Sequence, residues 1–379
     1  MHVNIRQKYL HTTPSVKYLN KSVESRCDKM MKIHVLYEHS GDRIPHGSSF
    51  IRLLNPLGHH KLQDLIKITV GTTYNNINPD MIIVDRLWSP DIGIHKAEKL
   101  MDFTRKKGIS LVYSIDDNLI DLNINEPGKT RPSIHEKNII RYFAREADGV
   151  IVSTSALKER IKNLNDRIFV VENALDERLI DLNRRYTNKD NKLVIGYMGT
   201  YTHDRDFCEI YPALRNILYK YRDDIELEVV GSLSDNRLLR SIPNAKQLDT
   251  RGNIEYTKFW DWMNRNIHWD IAIAPLVRNE FTKCKSDIKY LDYAALGTPA
   301  ICTKFVPYEN SVIHGKSGLL VENDAESWID AIVALIDDEE LREELRENAR
   351  EYLISNRILD KCVFKWERAL SEIYDSKSS

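Results

Sequence analysis

Residues 270–299, DIAIAPLVRNEFTKCKSDIKYLDYAALGTP, constrain this chain more tightly than any other stretch. Ile271 to Leu276 is an apolar run short enough for a buried strand. A polar loop follows and ends at Lys285-Ser286, after which a helical pattern runs to Leu296 and stops at Gly297. A strand that opens through a loop into a helix start offers free backbone N–H groups and the positive end of a dipole. Here that start is flanked by Lys285 and Lys289, which share a face if both are helical. Cations are disfavoured at a helix N-terminus unless an anion sits there, so the pattern predicts a bound diphosphate. Ser286 is the natural N-cap, with Lys289 where a capping box would place Glu, which leaves the amides to the anion. Two surface lysines beside Asp287 and Glu280 are the plainer reading. Asp292, further along the helix, is placed to grip a pair of hydroxyls or to be a solvated carboxylate. A cation site and a carboxylate at this separation suit a nucleoside-diphosphate sugar.

The rest of the chain repeats this alternation. Strand signals at Ile33 to Tyr37, Met81 to Val84, Leu111 to Ile115, Gly149 to Val152 and Ile168 to Val171 are separated by helical stretches such as 91–107, 133–146 and 155–164. A second series has strands at Leu193 to Tyr197, Ile225 to Val230, a weaker Ile254 region, Ile271 to Ala274, Pro299 to Cys302 and Gly318 to Val321. The rhythm predicts α/β architecture with parallel sheets, and 379 residues exceed one usual core. The expected division is a basic, flexible extension over 1–30, one Rossmann-like unit over 31–185, a polar linker, a second unit over 191–355, and a final helix in 356–379.

Composition narrows the partners. A formal net charge of −1, with 29% charged residues, provides no global field toward nucleic acid, and basic and aromatic residues do not alternate as nucleic-acid grooves require. Five scattered cysteines without CxxC spacing predict a reduced, cytoplasmic setting and no thiolate zinc site. The chain shows no bilayer-length apolar run and no signal-peptide core, so any membrane role is expected to be peripheral, at the inner face. None of the twelve histidines is spaced as in HExxH, and no metal is expected. The six tryptophans are read as core.

Three further segments carry chemistry. GYMGTYTHDRDF opens the second unit, and Gly199, Thr200, His203 and Arg205 form either a phosphate or sugar loop or a tight turn. GxGxxG is absent. Gly41, Gly47 and Ser48 lie in the loop after the first strand, with Ser48-Ser49 as a helix start. Asp116 and Asp117 end the strand LVYSI, where paired acids point into a cleft. They are candidates to bind an acceptor hydroxyl, to assist proton transfer, or to hold a divalent ion with Asp121; alternatively one of them caps the next helix.

Taken in order, KSDIKYLDYAALGTPAICTKFVPY, PYENSVIHGKSGLLVEND, IGYMGTYTHDRDF, ADGVIVSTSALKERI and VENALDERL resemble GT-B-fold glycosyltransferases, nearest to glycosyltransferase family 4, the group 1 type. The resemblance implies two facing Rossmann-like domains with a last helix, bearing Phe364 and Trp366, crossing back to the first. It implies metal-independent transfer with retention, no cofactor, a donor against the second domain, and a glycan, lipid-linked or protein acceptor against the first. By the same resemblance Asp292 matches the second acid of the two-glutamate motif and would hold ribose hydroxyls, while the first acid falls on Cys284. Glu280 would then substitute, with Phe281 beside it. The usual Arg and Lys fall near Thr200 and Asp206, so Lys285, Lys289 and Arg205 would neutralise the diphosphate. The displaced acid also leaves open a catalytically silent sugar-nucleotide or glycan-binding subunit. The oligomeric state is not legible.

Overall fold

The computed structural model describes residues 30–122, 132–184, 192–199, 201–231, 236–253 and 255–377. The expected extension and Thr200 lie outside these, apart from Met30.

Two six-stranded, fully parallel sheets organise the chain. The first contains β1 (Met31–Leu36), β2 (Ile66–Gly71), β3 (Met81–Asp85), β4 (Ser110–Ile115), β5 (Gly149–Val152) and β6 (Ile168–Val170), in the order β2-β1-β3-β4-β5-β6. The second contains β7 (Leu193–Met198), β8 (Ile225–Val230), β9 (Ala245–Leu248), β10 (Ile271–Ala274), β11 (Ala300–Thr303) and β12 (Leu319–Val321), in the order β12-β11-β10-β7-β8-β9. Each inner residue of β3, β4 and β10 is buried, as expected where helices cover both faces of a parallel sheet.

The two strands that differ from expectation are edge strands. β2 buries only Ile66 fully and carries Lys67 and Thr69, so it lacks a long apolar run. β9 has no fully buried residue and lies at 245–248, not in the Ile254 region; Ile254 itself is outside the described residues.

Two connections join the lobes. The chain leaves β6 through 172–180 and returns through 356–360, and the two passages pair: Leu175 N donates to the Arg357 carbonyl at 2.8 Å and Leu359 N to the Leu175 carbonyl at 2.9 Å. The final helix, Phe364–Lys377, then covers the first sheet. Trp366, Leu370 and Ile373 share one apolar cluster with Ile33, Ile83 and Ile151. Gly149 permits this contact, since a Cβ there would sit 2.6 Å from Ile373. Phe364, expected to help anchor this helix, is instead 48% exposed, because Trp366 occupies the inward face. All six tryptophans are buried.

Candidate active site

Open parallel sheets bind ligands beyond the carboxyl ends of their strands, where the strand order reverses. In the second sheet that point lies between β7 and β10, and in the first between β1 and β3. A cavity of about 190 Å³ lies between the lobes, lined by Ser48, Asp116, Asp117 and Asn173 from the first and by His203, Lys285, Ser286 and Lys289 from the second.

Lys285 and Lys289 therefore meet in one cavity. The helix begins at Ile288, with Asp287 and not Ser286 at the N-cap. Asp287 makes no capping hydrogen bond, because its carboxylate is gripped by Arg357 at 2.6 and 2.7 Å and by the Ser311 hydroxyl. Ser286 Oγ accepts instead from Asn173 Nδ2 at 2.8 Å. The Lys289 ammonium is buried 5.1 Å from the Tyr197 ring centre and has no hydrogen-bond partner among the described residues. Burial, opposed by Asp206 and reinforced by Lys285, pushes it down to about 8. Lys285 sits 3.6 Å from Asp117 Oδ1 and 4.9 Å from the Phe281 ring centre.

The first lobe supplies carboxylates. Asp116 and Asp117 follow β4, and neither caps a helix; the next described helix, Ile134–Glu146, is capped by Ser133 with Glu136 in a reciprocal box. Arg86 lies among the acids, 3.3 Å from Asp116, 3.7 Å from Asp117 and 3.3 Å from Glu38, and it donates to Ser48 Oγ at 3.2 Å. Its φ of 47° is a left-handed conformation, unusual for arginine, held by this set of partners. Burial raises Asp116 despite Arg86, whereas for Asp117 burial is outweighed by Lys285 and Arg86, so Asp117 is held below the usual carboxylate range. Asp121 does not join them, because Arg160 and Asn118 occupy its carboxylate. Among the described residues, the group with metal-ligand spacing is His59, His60 and Glu177, away from the cavity, where His59 Nε2 lies 2.7 Å from Glu177 Oε1.

Other expected site residues are placed differently. Gly199 directly follows β7, where a Cβ would meet Tyr197 Oη at 2.7 Å. Arg205 and Glu280 are exposed and do not line the cavity. The loop carrying Glu280 is drawn to the first lobe by Asn118 Nδ2 on the Glu280 carbonyl (3.0 Å) and Thr154 Oγ1 on the Cys284 carbonyl (2.9 Å), which leaves the Glu280 side chain outside. Phe281 and Cys284 pack into the first lobe's core, and burial pushes the Cys284 thiol up to about 11. Asp292 is half-buried and beyond the cavity lining; burial raises it well above the usual range against the pull of Lys289. Gly41 is exposed with φ 107°, and Gly47 begins a helix whose Phe50 stacks on Tyr256 across the lobes at 5.7 Å. Asn173, which lines the cavity, and Arg86 and Asp206, which hold lining residues, were not singled out from sequence. The signal available for Arg86 was the charged pair Asp85-Arg86 directly after the apolar run Met81–Val84, the same pattern that marks Asp116-Asp117.

Residues 180–352 match the family model described as glycosyl transferases group 1. The match falls on the second lobe. The matched lobe and its facing partner make the GT-B arrangement. Across 196 residues the chain is 26% identical to the capsular polysaccharide biosynthesis glycosyltransferase CapM of Staphylococcus aureus, covering 49% of this chain and 47% of CapM. It is 27% identical over 177 residues to the D-inositol 3-phosphate glycosyltransferase of Paenarthrobacter aurescens (strain TC1), covering 44% and 40%. The chain thus spans less than half the length of these curated relatives. HepE of Anabaena, solved with UDP and glucose, shares the fold with a TM-score of 0.63 at 14% identity, over 90% of this chain and all of HepE.

Proposed function

We propose that the protein is a glycosyltransferase that moves a sugar from a nucleoside-diphosphate sugar to a hydroxyl of a glycan, lipid-linked or protein acceptor, with retention, in surface polysaccharide or glycoconjugate synthesis. The observation that carries this is the buried, unpartnered Lys289 ammonium beside Lys285 at the switch point of the second sheet. An ammonium held there without a partner costs stability unless an anion completes the site. The relatives support the reading: CapM is named for capsular polysaccharide synthesis, and HepE was solved with UDP and glucose.

In the reaction, the bond from the anomeric carbon to the β-phosphate oxygen breaks and a bond to the acceptor oxygen forms. The acceptor proton passes to the departing phosphate. Lys285 and Lys289 stabilise the charge that builds on that phosphate, the task a divalent ion would otherwise perform. Asp292 holds the ribose hydroxyls. Asp117, kept ionised by Lys285 and Arg86, positions the acceptor hydroxyl, with Asp116 beside it. Gly41, Gly47 and Ser48 border the acceptor side. Described helices include none long and apolar enough to cross a membrane, so a lipid-linked acceptor would be met at a surface.

The test is release of nucleoside diphosphate from donor and acceptor mixtures. Asp117→Asn is expected to lower turnover at least about tenfold while donor affinity stays within about twofold, because the carboxylate contacts acceptor rather than donor. Full turnover in this variant removes Asp117 from the site. A second reading, a silent binding subunit, is favoured by Cys284, which is buried where relatives are expected to present an acid. Tight donor binding with no release of diphosphate would establish that reading instead.

A further inference from the structure

We propose that His203 is a fixed hydrogen-bond acceptor that reads a hydroxyl on the donor's sugar, and that Asp206 sets its tautomer; this rests on the donor reading above. His203 closes the short turn Tyr201–His203 after β7, and its side chain lines the cavity. Its Nδ1 lies 2.7 Å from Asp206 Oδ2. Asp206 is buried, and its other oxygen accepts the Val277 amide at 2.8 Å. Both oxygens of this carboxylate are therefore acceptors, and burial is outweighed by His203 and Lys289, which hold it below its ordinary range. The hydrogen must then sit on Nδ1. A neutral imidazole carries one N–H, so Nε2 presents a bare lone pair. No described residue donates to it.

The charged groups acting on the ring are Asp206, Lys289, Lys285 and Asp117. Burial and the two lysines outweigh Asp206 and push the imidazole down to about 4, so it stays neutral under ordinary conditions. The wall that carries two ammonium donors thus also carries one neutral acceptor. An ionised phosphate oxygen has no hydrogen to offer that acceptor, and the lysines take the phosphates. The O–H groups delivered with the phosphates belong to the ribose, given above to Asp292, and to the attached sugar, whose hydroxyls are the ones left for His203. A carboxylate in this place would also accept that hydroxyl but would repel the diphosphate, which a neutral ring does not.

The experiment is calorimetric titration of the full chain with UDP, GDP, ADP and dTDP and with the hexose ester of each, using the pair that binds the wild type best. His203→Phe is expected to leave the affinity for the diphosphate within about twofold and to weaken the sugar ester about tenfold, the effect of one lost hydrogen bond with a hydroxyl left unpaired. His203→Gln, which keeps a neutral acceptor, retains most of the sugar affinity. Equal losses for both ligands, or loss for neither, overturn the proposal. Should the phenylalanine variant not fold, ¹⁵N spectra of the wild-type ring decide: hydrogen on Nδ1 supports the assignment, and hydrogen on Nε2 overturns it. The same spectra of Asp206→Asn are expected to show the hydrogen moved to Nε2, which a merely structural aspartate would not cause. If the wild type binds none of the four pairs, the donor reading fails and this inference falls with it. If it binds them and His203→Phe changes nothing, the donor reading stands and His203 alone is refuted.

Discussion

Lys285→Ala combined with Lys289→Ala is expected to lower the affinity for nucleoside-diphosphate sugars at least about a hundredfold. Each charge-assisted contact is worth roughly 1.5–3 kcal/mol, and each 1.4 kcal/mol is about tenfold in affinity. Both side chains line one cavity, and Lys289 has no competing hydrogen-bond partner to absorb the loss. Titration of the folded double variant measures it, and unchanged affinity would remove the donor site. Lys289→Met separates function from folding. The ammonium sits at about 8 in the folded chain, against roughly 10.4 for an unperturbed lysine. The unfolded chain therefore binds the extra proton between these values, and stability rises as pH climbs from about 8 toward 10.4. At neutral pH the buried charge costs on the order of 3 kcal/mol, so methionine is expected to raise the thermal midpoint while abolishing tight donor binding. Donor affinity follows the opposite course. It is level below pH of about 8, where Lys289 is already charged, and falls above it as the free protein loses that proton. An affinity that stays level to pH 10 would exclude Lys289 from the phosphates.

Arg357→Ala is expected to be the most destabilising single change at the lobe junction. Its guanidinium grips Asp287 at 2.6 and 2.7 Å and donates to the Asn173 carbonyl from Nε at 2.9 Å and from NH2 at 2.7 Å. One buried side chain thus joins the return passage, the outgoing passage and the N-cap residue of the lysine-bearing helix. Truncation leaves the Asp287 carboxylate buried without its cation, a change that costs about 3–5 kcal/mol. For a chain of this size that corresponds to a fall in thermal midpoint of roughly 4–6 °C. Donor affinity is expected to fall as well, since the helix start loses its anchor. A midpoint within about 1 °C of wild type would show that the pair contributes no net stability.

Much of the fold was legible because of burial. The strands Gly149–Val152 and Ile271–Ala274 were read to the residue, since strands covered on both faces are written as unbroken apolar runs, and Ile225–Val230 was read to the residue from its β-branched and apolar residues although Glu226 and Glu228 interrupt it. The edge strands β2 and β9 were not, since a strand facing water on one side mixes in polar residues such as Lys67 and Lys246. The helix start was displaced by one residue because Arg357, far away in the chain, claims Asp287.

The site divides along the same line. Lys285 and Lys289 were found because they are neighbours on one helix start, and the reason for a cation there is local: a helix N-terminus repels it unless an anion is bound. Asp116 and Asp117 were found because the end of a parallel strand points to the crevice. Arg205 and Glu280 satisfied the same charge argument, yet the loop pinned by Asn118 and Thr154 turns Glu280 outward and the turn after β7 leaves Arg205 exposed. Arg86 among three carboxylates, and the Val277 amide that fixes the Asp206 carboxylate beside His203, exist only once separate strands are packed side by side. Sequence alone determined the layered parallel architecture and the position of the cations, because periodicity and helix-end electrostatics act over a few residues. Tertiary structure decided which charges face the cavity, because that depends on how two lobes joined by distant segments close on each other.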